Sequence, residues 1–196
     1  MKEKNFFCFI ILVMLCFNSY GQEKWDEENC IYTNHTLNFH WALPVKFEWQ
    51  KIMPTEKSTV FKAFSPYGIS VHVTYKHFPN NNVAVSYDMW GNFNKFEEDQ
   101  LSAYKEVKKR TGRNIQLIKI EKCKFSGEKS IRTIVRKDYE DDVINEHEYM
   151  ITYCFYKKNS MWWITLSCPA EIYKEFDEYN LKSVFAGFGM NGGTQQ

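Results

Sequence analysis

An acidic run separates two strand-like segments of the chain. Its carboxylates belong to Asp138, Glu140, Asp141 and Asp142. Carboxylate oxygens are ligands that calcium prefers in proteins, so these residues form a candidate metal site. The spacing and the glycine of an EF-hand loop are missing, and a charged, solvated hairpin turn is the competing interpretation.

A second group of residues offers aromatic rings to a ligand or partner. Aromatic residues make up 17% of the chain, which indicates a β-rich interior, and several tryptophans and tyrosines exceed what one core face needs. Tryptophan and tyrosine combine a large apolar area with a polar atom, which suits a binding surface. Ordinary helix-on-sheet packing is the alternative, and we expect Trp90 to be the most exposed. The candidates are Trp49, Tyr87, Trp90, Tyr156 and Trp163.

The common catalytic motifs are missing from the sequence. It contains no Gly-x-Ser-x-Gly elbow, P-loop, dinucleotide glycine fingerprint, His-Glu-x-x-His or Cys-x-x-Cys. His35 and His40 are five residues apart, as are His72 and His77, so on strands the members of each pair face opposite ways. We therefore expect surface or core histidines, no enzyme and no cofactor. A hydrolase assembled from scattered His, Asp and Ser residues is the least favoured alternative.

The element that must position these residues is a β-hairpin over Glu146–Cys168. With Lys158 and Asn159 in the turn, alternation puts the bulkiest side chains on one face. The other face is mixed, contains Cys154 and Trp163, and is too aromatic to be simply solvated. We expect a helix or long loop to cover part of it. The predicted core-face pairs are Phe155–Trp162, Tyr153–Ile164, Ile151–Leu166 and Tyr149–Cys168.

A second hairpin precedes the first, with Ser126 and Gly127 in its turn. This turn places Glu121 opposite Arg132. The apolar residues of its other face join the core only if the loop near residues 141–143 has an odd length. That register predicts Ile131 opposite Tyr153.

The same registers limit which disulfides can form among the cysteines beyond residue 21. These are Cys30, Cys123, Cys154 and Cys168. Cys154 and Cys168 face opposite sides of the hairpin. Cys123 and Cys154 are predicted in one row, two strands and about 10 Å apart, which is too far for a disulfide. Any disulfide should therefore involve Cys30, and Cys123 and Cys154 should be inert thiols.

The strongest helix signal covers Asn94–Thr111, with Asn94 as the predicted cap and Gly112 as its C-terminal stop. Other patterns predict an opening strand, a first hairpin and a closing helix. Their ranges are Cys30–Leu43, Ser58–Ser65 with Gly68–Phe78, and Ala170–Phe185.

The first residues have the features of a secretory signal. Lysines precede an apolar run over Phe6–Phe17, and small residues precede a cut after Gly21. The run is shorter than the roughly 20 residues that span a bilayer. We therefore expect export to the periplasm or the extracellular space, no integral membrane segment after cleavage, one domain over residues 22–188 and a flexible tail over residues 189–196.

Cleavage also changes the charge balance. It removes two lysines and one glutamate from 25 basic and 24 acidic residues, so the mature net charge is zero. A neutral chain does not favour nucleic acid or an anionic membrane surface as a partner.

The order of these elements resembles the PsbP/Mog1-like family, which includes bacterial exported proteins of the PsbP-like and DcrB type. The matching stretches are Leu37–Leu43 running into Pro44 with Trp49 beyond, the turn Phe125–Glu128, and Cys168-Pro169 before a helix ending Leu181–Phe185. The resemblance implies an α+β fold, with an antiparallel sheet of about six to seven strands sandwiched between helices. It also implies a non-catalytic role and offers no catalytic motif to transfer.

The first hypothesis is thus a non-catalytic exported binding or accessory protein of the bacterial cell envelope, with an unknown envelope protein or small ligand as its partner. The alternative is a small-ligand or calcium carrier that uses the aromatic sheet face or the acidic hairpin turn.

Overall fold

A computed structural model describes residues 23–79, 88–141, 144–175 and 178–190, with the backbone alone at 139–141, 144–146, 175 and 178–180. The predicted signal segment lies outside these ranges. In chain order the elements are β1 (Glu23–Asp26), β2 (Ile31–Asn34), β3 (Phe39–Ala42), a 3₁₀ turn (Val45–Phe47), β4 (Gln50–Lys51), β5 (Thr59–Phe64), β6 (Ser70–His77), α1 (Phe93–Thr111), β7 (Asn114–Phe125), β8 (Glu128–Asp141), β9 (Ile144–Lys157), β10 (Ser160–Pro169), α2 (Ala170–Glu175), α3 (Glu178–Ala186) and β11 (Phe188–Met190).

The chain divides into two compact units, one formed by residues 23–46 with 182–190 and the other by residues 47–181. The smaller unit contains a four-stranded antiparallel sheet in the order β1-β2-β3-β11. The larger contains a seven-stranded antiparallel sheet in the order β4-β5-β6-β10-β9-β8-β7. The protein is therefore rich in sheet, and the expected α-β-α sandwich is matched only in part. The single domain over residues 22–188 stays a prediction.

The opening segment is a hairpin rather than the single strand predicted over Cys30–Leu43. Asn34 ends β2, and its side-chain oxygen accepts a hydrogen bond of 2.8 Å from the Leu37 amide. Asn38 then adopts a left-handed conformation with φ of 58°. Asparagine favours both arrangements, which reverses the chain between β2 and β3.

Part of the segment predicted as a flexible tail forms β11. Phe188, Gly189 and Met190 pair with β3, and the Ala42 amide donates to the Gly187 carbonyl at 3.0 Å. A Cβ on Gly187 would clash with the Ala42 carbonyl oxygen. Gly187 therefore permits a close approach of two strands.

The hairpin of β9 and β10 has the predicted register. Phe155 pairs with Trp162 and Ile151 with Leu166, and the other predicted core-face pairs are equally confirmed. Lys158 and Asn159 form the turn with φ of 48° and 57°. Two consecutive positive φ angles are typical of the tight turns whose twist matches that of antiparallel strands.

The predicted register between β8 and β9 is wrong by one residue. Asp141 pairs with Ile144, so the connection has two residues instead of an odd number, and Ile131 lies opposite Cys154 rather than Tyr153. Arg132 takes the place beside Tyr153 on the core face, where it forms an ion pair with Glu121. The prediction assumed that this charged row must face away from the core.

This shift also places Cys123 and Cys154 on opposite faces of the sheet. The four cysteines that the structure describes, Cys30, Cys123, Cys154 and Cys168, are all free.

The long helix α1 begins one residue earlier than predicted. Asn92 rather than Asn94 is its N-cap, and no side-chain cap hydrogen bond forms. Gly112 ends the helix as predicted, with φ of 72° and its amide bonded to the Lys108 carbonyl. The predicted closing helix consists of the two shorter helices α2 and α3.

We predict that Gly187→Ala destabilises the pairing of β3 with β11. The new methyl group meets backbone that cannot move aside, so the free energy of unfolding should fall by about 1–3 kcal/mol, as in other overpacked sites. Urea denaturation and hydrogen exchange at the Ala42 amide measure this. Gly189→Ala is the matched control with a smaller expected loss, because its Cβ meets the rotatable His40 ring. Unchanged protection at Ala42 in the first variant would contradict the assignment.

Candidate functional site

A row of polar side chains crosses the larger sheet on its mixed face. His72 on β6 pairs with Thr165 on β10, which pairs with Thr152 on β9. Thr152 in turn pairs with Thr133 on β8. Since paired residues on neighbouring strands point to the same face, these four side chains form one strip across the sheet.

The next row along the same face is mainly apolar. Thr74, Trp163, Cys154 and Ile131 lie side by side on the same four strands. Phe96 of α1 packs into the buried cluster that contains Cys154 and Ile131. The helix therefore covers part of the mixed face, as predicted.

Between α1 and the polar row lies a cleft of about 220 Å³. Three residues of α1 form one wall and strands β6, β8, β9 and β10 form the other. The lining residues are His72, Thr74, Phe96, Gln100, Tyr104, Thr133, Met150, Thr152, Cys154, Trp163 and Thr165. None of these side chains is a carboxylate, lysine or arginine.

The threonine hydroxyls of the cleft are buried but not saturated with hydrogen bonds. Thr152 and Thr165 share one hydrogen bond of 3.0 Å between their hydroxyl oxygens, which leaves one hydroxyl hydrogen of the pair without an acceptor among the described residues. Thr133 is only 5% exposed, and its hydroxyl has no hydrogen-bond partner in the described part of the chain. Buried hydroxyls normally have a partner, so this cleft is suited to a ligand or water that supplies one.

His72 stands at one end of the polar row. Burial, helped by the positive charges of Lys62 and Lys137, lowers its pKa from 6.5 to about 4. The imidazole is therefore neutral at pH 7 and offers one donor and one acceptor. It also lines a smaller hollow of about 80 Å³ with Glu56 and Lys62.

The helix wall adds two polar groups. The Tyr104 hydroxyl bonds to the Gln100 side-chain oxygen at 3.2 Å, one helical turn away. Burial raises the pKa of Tyr104 to about 12, so this phenol stays protonated. The Gln100 amide nitrogen has no hydrogen-bond partner among the described residues.

This arrangement of sheet and helix is similar to the solution structure of cyanobacterial PsbP (CyanoP) from Synechocystis sp. PCC 6803. The TM-score is 0.55 at 12% sequence identity, and the match covers 82% of this chain and 91% of that chain. The chain has a PsbP-like fold. The family resemblance noted in the sequence is thus confirmed at the level of the fold.

A crystal structure of a protein from Bacteroides thetaiotaomicron VPI-5482 is a weaker match, with a TM-score of 0.46 at 8% identity. It covers 81% of this chain and 47% of that chain. No protein-family model and no curated protein sequence matches the chain.

On this PsbP-like fold three of the predicted aromatic residues come together. Trp90, Tyr156 and Trp163 pack against the cluster of Met89, Phe96, Ile131 and Cys154. Only Trp163 of the three lines the cleft. Trp90 is half-buried rather than exposed, because its indole nitrogen donates to the Ser130 carbonyl at 3.0 Å.

The other two predicted aromatic residues are not part of this group. Trp49 is buried and packs edge-on against Phe47, with ring centres 5.9 Å apart. Tyr87 lies outside the described residues. Their proposed binding role stays a prediction.

Of the predicted acidic metal site, only the Asp138 side chain is described. One of its oxygens accepts a hydrogen bond from Arg136 Nε at 2.7 Å and lies 2.8 Å from His147 Nδ1. Burial acts to raise the pKa of Asp138, but hydrogen bonds from Asn114 and Arg136 outweigh it and lower the pKa. No cluster of three or more His, Cys, Asp and Glu residues suited to a metal occurs among the described residues. Glu140, Asp141 and Asp142 fall outside the described side chains, so the calcium site stays a prediction.

Most of the cleft residues were not predicted as site residues. The sequence signal for the cleft was the alternation pattern, which places Thr152 opposite Thr165 on the mixed face. The wrong register of β8 assigned Thr133 to the core face. His72 was assigned to the surface or core because His77, five residues away on the same strand, faces the opposite way.

Within the described part of the chain, no helix is both long enough and apolar enough to cross a membrane.

We predict that His72 makes stability depend on pH between 6.5 and 4. The folded protein keeps the imidazole neutral while the unfolded chain protonates, so stability is fully present above pH 6.5 and falls as the pH decreases towards 4. Between pH 7 and pH 5 the loss from this group is about 2 kcal/mol. Urea unfolding at both pH values should show this extra loss in the native protein but not in His72→Gln. His35→Gln, which replaces an exposed imidazole, should retain the extra loss. An equal loss of stability between pH 7 and pH 5 in the native protein and both variants would exclude the effect.

Proposed function

We propose that this protein is a non-catalytic exported binding protein of the bacterial envelope, and that the cleft between α1 and the larger sheet holds its small ligand. The observation that carries the proposal is the group of buried threonines that line the cleft. Thr152 and Thr165 bond to each other and keep one hydroxyl hydrogen free, and the Thr133 hydroxyl has no hydrogen-bond partner among the described residues. Hydroxyl hydrogens and lone pairs that the protein leaves unused at the cleft are available to a bound ligand or water.

The chemistry of the cleft favours binding over catalysis. Cys154 is the strongest nucleophile in the lining, but burial raises its pKa far above neutral, so it stays a thiol. His72 is the base in the lining, and its lowered pKa makes it a weak one. Binding needs only the hydrogen-bonding capacity of these groups.

We include the α-β-α layering of the larger unit in this proposal. Helix α1 packs on the mixed face through Phe96. On the opposite face Tyr173 of α2 stacks on Tyr149, with ring centres 4.0 Å apart. Helices on both faces would hold the sheet rigid behind the cleft.

A cleft-blocking substitution tests the binding site. Gln100→Trp places an indole at the helix wall, and Ser102→Trp adds the same group at an exposed position of α1. Native mass spectrometry of protein purified without denaturation from its own envelope fraction should show a bound small molecule. Ser102→Trp should retain this mass, and Gln100→Trp should lose at least nine-tenths of it.

Two results would contradict the proposed site. One is a native protein that carries no bound mass and shows no thermal shift with small molecules extracted from the envelope. The other is a Gln100→Trp protein that keeps the bound mass.

Export is tested by the mature N-terminus. The cut after Gly21 predicts a mature chain that begins at Gln22, and intact-mass measurement of the protein from its host gives this directly. Gly21→Trp removes the small residue that signal peptidase requires and should leave the uncut precursor. A full-length native protein in the cytosolic fraction would contradict export.

A further inference from the structure

The cleft has a polar surface and an apolar surface, and together they restrict which ligands fit it. Neighbouring strands lie about 4.8 Å apart, so the polar row presents hydrogen-bonding groups at regular intervals across the floor. Beside it, Trp163 presents an indole ring, and Phe96 and Met150 extend the apolar area. A matching ligand has one polar edge and one apolar face.

The side chains of the polar row can both donate and accept hydrogen bonds. Each threonine hydroxyl has one donor hydrogen and two acceptor lone pairs, and a neutral imidazole has one of each. The bond between Thr152 and Thr165 uses only one of their two hydrogens. Ligand hydroxyl groups, which also donate and accept, satisfy such a row more fully than carbonyl oxygens, which only accept, or ammonium groups, which only donate.

The electrostatics favour a ligand without charge. An ion that enters the cleft gives up its water and finds no ionised lining residue to compensate for the loss. The charged groups that act on His72 from outside the cleft are Lys62, Lys137, Glu56 and Glu148. Two are positive and two negative, so their effects partly cancel, with the lysines acting more strongly on His72.

The size of the cleft limits the ligand to about one ring. A protein cavity of about 150 Å³ can hold benzene. The cleft, at about 220 Å³, has room for one six-membered ring with its hydroxyl groups.

Building on the proposed binding function, we propose that the cleft takes a neutral polyhydroxylated ring, such as a sugar or cyclitol unit. Its apolar face lies on Trp163, and its hydroxyl edge meets Thr133, Thr152 and Thr165. The hydroxyl row decides specificity, and the indole supplies contact area.

A panel of probes on the full mature protein tests this class. The neutral probes are glucose, galactose, N-acetylglucosamine and myo-inositol, the charged matches are glucuronate and glucosamine, and the apolar match is indole. Titration followed by amide chemical shifts should show binding of at least one neutral probe with shifts at Thr152 and Thr165. Its charged match should bind at least tenfold more weakly.

A double variant tests the role of the hydroxyl pair. Thr152→Val with Thr165→Val removes both partners of one hydrogen bond and preserves their shape, which is close to neutral for stability. The affinity for the neutral probe should fall at least tenfold, while the affinity for indole is retained. Thr33→Val, a strand threonine of the smaller unit, is the control. An unchanged neutral-probe affinity in the folded double variant would overturn the inference.

The panel decides the inference even if the double variant does not fold. Tighter binding of a charged probe or of indole than of the neutral rings overturns the ligand class. A bound native mass together with a panel in which no neutral ring binds overturns the class but keeps the proposed function. If the native protein carries no bound mass and no probe binds, the ligand class and the proposed function are both overturned.

Discussion

The register of the hairpin formed by β9 and β10 is the constraint on which the larger sheet depends. Its two-residue turn fixes which side chains share a face, because a shift by one residue would exchange the faces completely. Phe155, Trp162 and Ile164 are thereby committed to the core face, where Phe155 and Trp162 stack nearly parallel. Thr152, Cys154 and Trp163 are committed to the other face. The cleft exists because this second face is neither fully apolar nor fully solvated.

The ion pair of Arg132 with Glu121 explains how β8 joins this arrangement. Arg132 is buried on the core face, and a buried charge is tolerated only when it is paired. With Arg132 accommodated there, Ile131 and Thr133 turn to the mixed face. Ile131 joins the apolar cluster below α1, and Thr133 extends the polar row. This register of β8 makes Thr133 its contribution to the floor of the proposed site.

Helix α1 converts the mixed face into a cleft. Phe96 packs into the cluster next to Cys154, whereas Gln100 and Tyr104, one and two turns later, line the open space over the polar row. The burial that results keeps His72 and Tyr104 uncharged at neutral pH. A neutral, polar and partly aromatic site follows from helix placement as much as from the residues themselves. The proposed ligand class rests on this combination.

The sequence by itself determined the local elements and the pairings that depend on short turns. Alternation and turn residues were enough for the β9–β10 register, for the pairing of Glu121 with Arg132 and for the end of α1 at Gly112. The order of elements was enough to indicate a PsbP-like fold.

Tertiary structure decided the rest. The β8–β9 register puts Arg132 on the core face, where Glu121 pairs with it. Strand β11 depended on close approach at Gly187, and the cleft depended on side chains from α1 and four strands. Such contacts join residues far apart in the chain, and periodicity describes only neighbours, so the proposed site becomes visible only when the strands are paired.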